Sequence, residues 1–454
     1  MPASAVGFAL SVQISALSWI LATQYKLEVH DIGLVWAAGP IAGIFGQVII
    51  GIWSDKVWLW NGRRRPFILV GGAIAAMTLL ALPNIDVVSS ALGIDGILVI
   101  ALIVVLSLDF AINVGFNPTR SIIADVTPEG DYRTRGYAWM QTVSGTFGVI
   151  AMAIGAIWDN YVLIYVGIVI VFLFSIIPPF FIEEPRTLEV EDAGARAPKT
   201  SFTEILMNIQ PLWGFLVYDI YAMSLRILGI EHDHWYAEIA CGVLTLVLIA
   251  KTLLAREGKS GGKADHMVGF RQVLAAHSFS WIGIHTTLVF LPVYLIAVLT
   301  ELSSIDVGRV GSMSFLVLQA VGAALPVLAL APLAEKIGRV RTHALALAVM
   351  TAGYVAMFLL GDTPLAIYML MAVIGVGWAS IISLPFAVVS QKAEANEMGL
   401  FMGLFNLSVV LPQLVVSLGI GLAVSRADDK SIIFAISAVA LALSAIAWTR
   451  VRED

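Results

Sequence analysis

Two charged side chains and an amide stand inside an otherwise apolar run, and their types and spacing are where chemistry is to be sought. The stretch 97–124 carries Asp109, Asn113 and Arg120 among leucines, isoleucines and valines. At roughly 100° per residue, Asn113 lies about 40° from Asp109 and Arg120 about 20° from it, so the three share one helical face. Pro118 lies opposite. Asp109 and Arg120 are about 16 Å apart along the axis, too far to pair directly in a straight helix. Asp109 falls about 12 residues into the run, near mid-depth if the run crosses a bilayer, where an ionisable group is by default functional. A carboxyl there, with no counter-ion on its own helix, suits the loading and release of a proton; the bland alternative is a structural Asp bonded to a neighbouring helix. Arg120 stays charged and offers a planar fork of donors, able to hold two hydroxyls or an acid on another helix. Close to the helix end, it can equally snorkel to the interface.

The elements that must position these groups follow from composition. Of 454 residues 59% are hydrophobic, against roughly 45–50% in soluble domains, and 13% are charged, against roughly 25%. That apolar content supplies about a dozen segments of about 20 residues, each long enough to cross a hydrocarbon core of about 30 Å. So few charges cannot cover that much apolar surface in water. The balance excludes a soluble enzyme, a nucleic-acid binder and a disordered scaffold. The long runs call for helices rather than the alternating strands of a barrel. The fold class expected is an all-α polytopic membrane protein. Its single cysteine, Cys241, excludes an internal disulfide and a cysteine metal cluster. The opening MPASAVGFAL lacks a basic leader and reads as an uncleaved first span.

Apolar runs fall at about 5–25, 32–53, 67–83, 97–124, 137–158 and 160–182, and again at about 273–299, 310–334, 344–360, 364–390, 398–424 and 431–448. Six plus six spans divide the chain into halves 1–183 and 271–454, with a cytoplasmic connector 184–270 between them. Inside the connector, about 212–230 and 236–254 are apolar and joined by Glu231-His232-Asp233-His234. They read as an extra transmembrane hairpin, giving 12 + 2 spans, or as amphipathic helices lying at the interface. With the N-terminus inside, 19 Lys and Arg fall in loops on that side and 4 on the other. Both termini are therefore expected in the cytoplasm, in a cell (inner) membrane. An internal repeat supports the two halves. Asp55-Lys56 followed by Gly62-Arg63-Arg64-Arg65 comes after span 2, and Glu335-Lys336-Ile337-Gly338-Arg339 after span 8. An acid, a base, a glycine and a basic cluster at helix ends can clamp those ends in one state and release them in another; the bland reading is orientation anchoring.

Two six-span halves with this echo resemble the major facilitator superfamily, built from parallel repeats around a midplane site. Leu108-Asp109, Asn113, Pro118, Arg120 and Ala124-Asp125-Val126 resemble the fourth span of the proton-coupled sucrose transporters. The likeness continues in His30 ahead of Gly39-Pro40, in Gly51-Ile52-Trp53-Ser54-Asp55-Lys56, in Pro385-Phe386-Ala387, and in Gly403-Leu404-Phe405-Asn406-Leu407-Ser408 with Pro412-Gln413. Those transporters are part of the glycoside-pentoside-hexuronide:cation symporter group; a related solute-carrier branch and the melibiose-type glycoside symporters are the nearest alternatives. The resemblance implies a disaccharide:proton symporter. Asp109 would be its proton-coupling acid, Arg120 a sugar ligand, His30 a residue of the access path, and Asp55, Gly62, Arg63, Arg64, Arg65, Asp125, Glu335 and Arg339 parts of the gating motif. His30 reads equally as a solvated loop residue.

The chain departs from the plant members at span 7, where Leu291-Pro292-Val293-Tyr294 has no acid beside it, and at span 8, whose acid and arginine have no clear counterpart. Span 7 offers instead His277, Trp281 and His285, with the histidines about 80° apart around the helix. Trp281 is a platform for the C–H face of a sugar, or a core residue. Gln13, Gln141, Gln319, Trp378, Asn406 and Gln413 are further polar midspan groups, suited to sugar hydroxyls or to bonding helices together. His232 and His234 lack a third metal ligand. No Walker phosphate loop and no catalytic constellation such as His-Glu-x-x-His occurs, so the expectation is a transporter and not an enzyme. It would need no cofactor beyond a proton gradient and would bind a small sugar and a proton as a monomer. A proton-coupled antiporter, or a facilitator for another small solute, is the competing reading.

Overall fold

The structure is a computed structural model that describes residues 2–43, 58–62, 64–94, 96–126, 131–184, 201–228, 230, 234–255, 263–392 and 398–453. Asp55, Arg63 and His232 lie outside the described residues, as do the side chains of Arg120, Asp125 and Gln141. Among the described residues every named element is helical, and the one β contact is an isolated bridge between Leu59 and Gly62. That is what lipid demands, because a helix satisfies its backbone groups within itself.

The first half supplies α1 (Pro2–Thr23), α2 (Val29–Trp36), α3 (Arg65–Ala81), α4 (Ile85–Leu92), α5 (Ile97–Val126), α6 (Asp131–Ile157) and α7 (Asn160–Ile176). The connector supplies α8 (Phe202–Asn208), α9 (Trp213–Leu228) and α10 (Tyr236–Leu254). The second half supplies α11 (Lys263–Val298), α12 (Ser304–Leu325), α13 (Ala331–Ile337), α14 (Arg339–Leu360), α15 (Pro364–Ile381), α16 (Leu384–Lys392), α17 (Met398–Val415), α18 (Gly421–Arg426) and α19 (Ile432–Trp448). Local chemistry sets several ends. Asp159 accepts the Val162 N–H at 2.8 Å and caps α7. Thr363 does the same for Ala366 before Pro364 opens α15. Span 3 runs past its expected end: Leu82–Asn84 forms a 3-10 turn, with Pro83 where its missing N–H does no harm, and α4 continues to Leu92. Two π-helical turns, Pro326–Leu330 and Val416–Ile420, interrupt spans of the second half.

Ten of the described helices are long and apolar enough to cross a membrane, and two shorter apolar helices, Thr142–Ile157 and Ile432–Trp448, join them. The chain is a multi-pass membrane protein. In the connector α10 is among the ten; α9, at 16 residues, reaches about 24 Å, short of a core of about 30 Å. Grouped by contacts the chain forms two compact units, Met1–Asp192 with Leu295–Leu316, and Ala193–Tyr294 with Val317–Asp454.

Candidate functional site

In the first unit Asp109 is 5% exposed, and across from it on α1 stands Gln13. The Gln13 amide donates to both carboxylate oxygens, at 2.9 and 3.0 Å. Gly39 closes a third side, where a Cβ would stand 3.5 Å from Oδ2. Among the described residues no cation pairs with Asp109. The sequence offered Gln13 as a substrate amide; its place is against the acid. The pairing suits a proton site: an amide donates to a carboxylate, and after rotating by a half turn its carbonyl accepts from a protonated acid. Asn113 sits one turn on and donates its amide to the Asp109 carbonyl oxygen at 2.8 Å, so it reads the same helix turn. His30 opens α2 beside Asp31, with Nε2 3.2 Å from Oδ1.

The first unit also holds a polar cluster that sequence reading passed over. Ser15 of α1 donates to Asn160 of α7 at 3.1 Å, Ser312 of α12 donates to the same Asn160 oxygen at 2.8 Å, and the two serine hydroxyls are 2.5 Å apart. All three residues are buried. Trp19 donates to the Ser304 carbonyl at 2.6 Å. Small polar residues in apolar runs give no periodic signal, which is why they went unnoticed.

In the second unit Trp281 donates its indole N–H to His277 Nε2 at 2.9 Å, and Trp378 donates to Gln319 Oε1 at 3.0 Å. The two indoles meet edge to face, centroids 6.3 Å apart at 80°. Both N–H groups are thus satisfied within the protein, which leaves ring faces as the surfaces they present. His277 stacks on Phe405 with centroids 4.7 Å apart. His285, expected beside it, lies within 3.5 Å of the Ser417 hydroxyl. Asn406 and Gln413 are half-buried on α17, seven residues apart and so about 20° from the same line.

The repeated motif acquires a partner the sequence did not reveal. Glu184 accepts the backbone N–H groups of Arg64 and Arg65, both at 2.8 Å, where α3 begins. Glu453 accepts those of Arg339 and Val340, at 2.8 and 3.1 Å, where α14 begins. A carboxylate on a helix N-terminus satisfies orphan donors and meets the positive end of the dipole. The motif glycines exist to admit it. A Cβ on Gly62 would stand 2.5 Å from Glu184 Oε1, and one on Gly338 would stand 2.5 Å from Glu453 Oε2. Gly338 also has φ +93, which L side chains avoid. Glu335, the acid of the second motif, is exposed. The signal was present in the chain, since each Glu falls just past the last span of its half.

The profile of the Major Facilitator Superfamily matches residues 3–417. The chain is 33% identical over 128 residues to the general alpha-glucoside permease of Schizosaccharomyces pombe, covering 27% of this chain and 23% of that protein. It is 37% identical over 78 residues to sucrose transport protein SUC3 of Arabidopsis thaliana, covering 17% and 13%. With proton-associated sugar transporter A of Homo sapiens it shares 33% over 134 residues, covering 28% and 18%. The matched stretches span less than a third of each of these relatives. Among solved structures, a mutant of the nucleoside transporter NupG superposes with a TM-score of 0.65 at 15% identity, covering 100% of this chain and 99% of that one. An auto-inhibited peptide transporter of the POT family gives 0.68 at 13%, covering 99% and 94%. Identities this low show the fold alone. Family profile and fold agree: the chain belongs to the Major Facilitator Superfamily.

Proposed function

We propose that the protein is a secondary active transporter, a proton:sugar symporter that takes up a disaccharide or glucoside by alternating access. The observation that carries this reading is Asp109, an acid buried at mid-span, with no paired cation among the described residues and held by one amide able to serve both of its protonation states. The names of the relatives, glucoside permease and sucrose transport proteins among them, support the substrate class. In the proposed cycle Asp109 takes a proton from the side opposite the termini. Arg120, on the same face of α5, takes sugar hydroxyls with its fork. Asn113, His30, Asn406 and Gln413 supply further polar contacts, and the Trp281 ring faces the sugar's C–H surface. Reorientation then presents both ligands to the cytoplasm, where Asp109 gives up its proton and the sugar leaves. Asp55, Asp125 and the arginines beside Gly62, with Glu335 and Arg339, act at the helix ends that part and close. The protein works as a monomer in the cell membrane, with both termini cytoplasmic by the excess of basic residues on that side.

Uptake of labelled sucrose and maltose into proteoliposomes under an imposed inward pH gradient tests the reading. Accumulation above equilibrium that a protonophore abolishes is the expected result. Undiminished uptake with the gradient collapsed would make the protein a facilitator, and accumulation driven by an outward gradient would make it an antiporter.

A further inference from the structure

The connector hairpin carries a second buried acid, to which proton:sugar symport assigns no task. Asp219 is the seventh residue of α9 and 5% exposed. Neither carboxylate oxygen has a hydrogen-bond partner among the described residues, in contrast to Asp109 with its two bonds from Gln13. The face that carries Asp219 includes Phe215, Tyr218 and Ala222, all buried, while Val217 and Ile220 on the other side are exposed. That buried face meets α10 and the stretch running from α17 into the π turn. Gly214 brings Thr245 against the α9 backbone, and Gly419 of the π turn leaves the place that the Tyr218 hydroxyl fills.

Among the described residues no cation stands against Asp219. On α9 the titratable neighbours are Tyr218 and Tyr221, with Arg226 exposed two turns on. On α10 Glu238 and Cys241 face the same seam, while Tyr236 and Lys251 are exposed. The stretch of α17 and the π turn carries no titratable residue; behind it, His285 of α11 reaches Ser417. The seam is open along one side. A cavity of about 360 Å³ runs along it, walled by Phe215 and Tyr218, Glu238 and Cys241, Phe279 of α11 and Val415 of α17.

We propose that Asp219 is a proton-binding site that governs docking of the hairpin. With the proton on, a neutral carboxyl permits α9 to lie in the seam; when the proton leaves for water, the bare charge needs donors that no described residue gives it there, and α9 lifts to meet water. One proton is released for each hairpin that opens, and nothing else is exchanged.

Cys241 is the only cysteine in the chain and stands in the cavity wall, so the native protein carries its own reporter. The rate of N-ethylmaleimide labelling is measured in proteoliposomes across roughly pH 6 to 9, for the wild type and for Asp219→Asn; thiolate formation raises both rates alike. The ratio of wild type to variant should climb with pH, by at most about tenfold per unit for one linked proton. Asp219→Glu, which keeps a titrating group, should restore the climb. A ratio that stays flat overturns the proposal, as does a climb that survives Asp219→Asn and disappears in Glu238→Gln. Should the Asn variant fail to enter the membrane, Asp219→Leu replaces it with the same expectation. No sugar is involved, so the outcome is independent of the transport reading.

Discussion

At the scale of single residues, the two charges of α5 should fail in different ways. Asp109→Asn keeps shape and hydrogen bonding but cannot titrate, whereas Arg120→Lys keeps charge but loses the two-pronged fork. A charge-assisted hydrogen bond is typically worth about 1.5–3 kcal/mol, or roughly 10- to 150-fold in binding. Arg120→Lys is therefore expected to weaken sugar affinity within that range, read as the concentration dependence of sugar exchange; unchanged affinity would make Arg120 an interface anchor. Gln13→Leu removes both hydrogen bonds to the Asp109 carboxylate. It should reduce uphill accumulation by about tenfold or more, from the loss of at least one such bond, while Gln13→Glu and Gln13→Asn separate the need for a donor from the need for reach. Accumulation unaffected by Gln13→Leu would remove the amide from the proton site. Asp109 itself was legible in the sequence, because a charge in an apolar run declares itself. Its partner was not, because Gln13 is 96 positions away and one amide among several looks like any other.

At the scale of elements, each half carries a carboxylate that closes the start of its third span, Glu184 on α3 and Glu453 on α14. Losing such a cap costs about 0.5–2 kcal/mol. Glu453→Ala should lower the thermal midpoint in detergent accordingly, and Glu453→Gln, which keeps an acceptor, should lower it less. Gly338→Ala combines a blocked carboxylate with a φ of +93, a backbone strain of about 1–3 kcal/mol. Gly62→Ala meets its Glu without that strain, so the Gly338 variant should lose more stability. Equal losses, or a stable Gly338→Ala, would contradict the capping account. Here the sequence was half legible. The paired glycines and basic clusters stood out as a repeat, but a cap arriving from 120 positions away follows no helical period and leaves a mark only as an acid just beyond a span.

At the scale of the whole molecule, hydropathy revealed most of the helices, since lipid admits little else. Packing between them is a different matter. The halves 1–183 and 271–454 come from counting spans along the chain, while contacts place Leu295–Leu316 with the first unit, through residues as plain as Ser312. No pattern of apolar residues encodes that contact. The connector helices fall between the two cases: their apolar character was plain, but the orphaned oxygens of Asp219 emerge only once α9 has been laid in its seam. The proposed coupling of a proton to sugar uptake rests on one buried acid, Asp109. It is tested most directly in proteoliposomes containing Asp109→Asn, by comparing uphill accumulation of a labelled disaccharide under a pH gradient with its exchange at equal concentrations on both sides. Accumulation is expected to be lost while exchange persists. Accumulation by Asp109→Asn at the wild-type level would contradict it and assign the proton to another group.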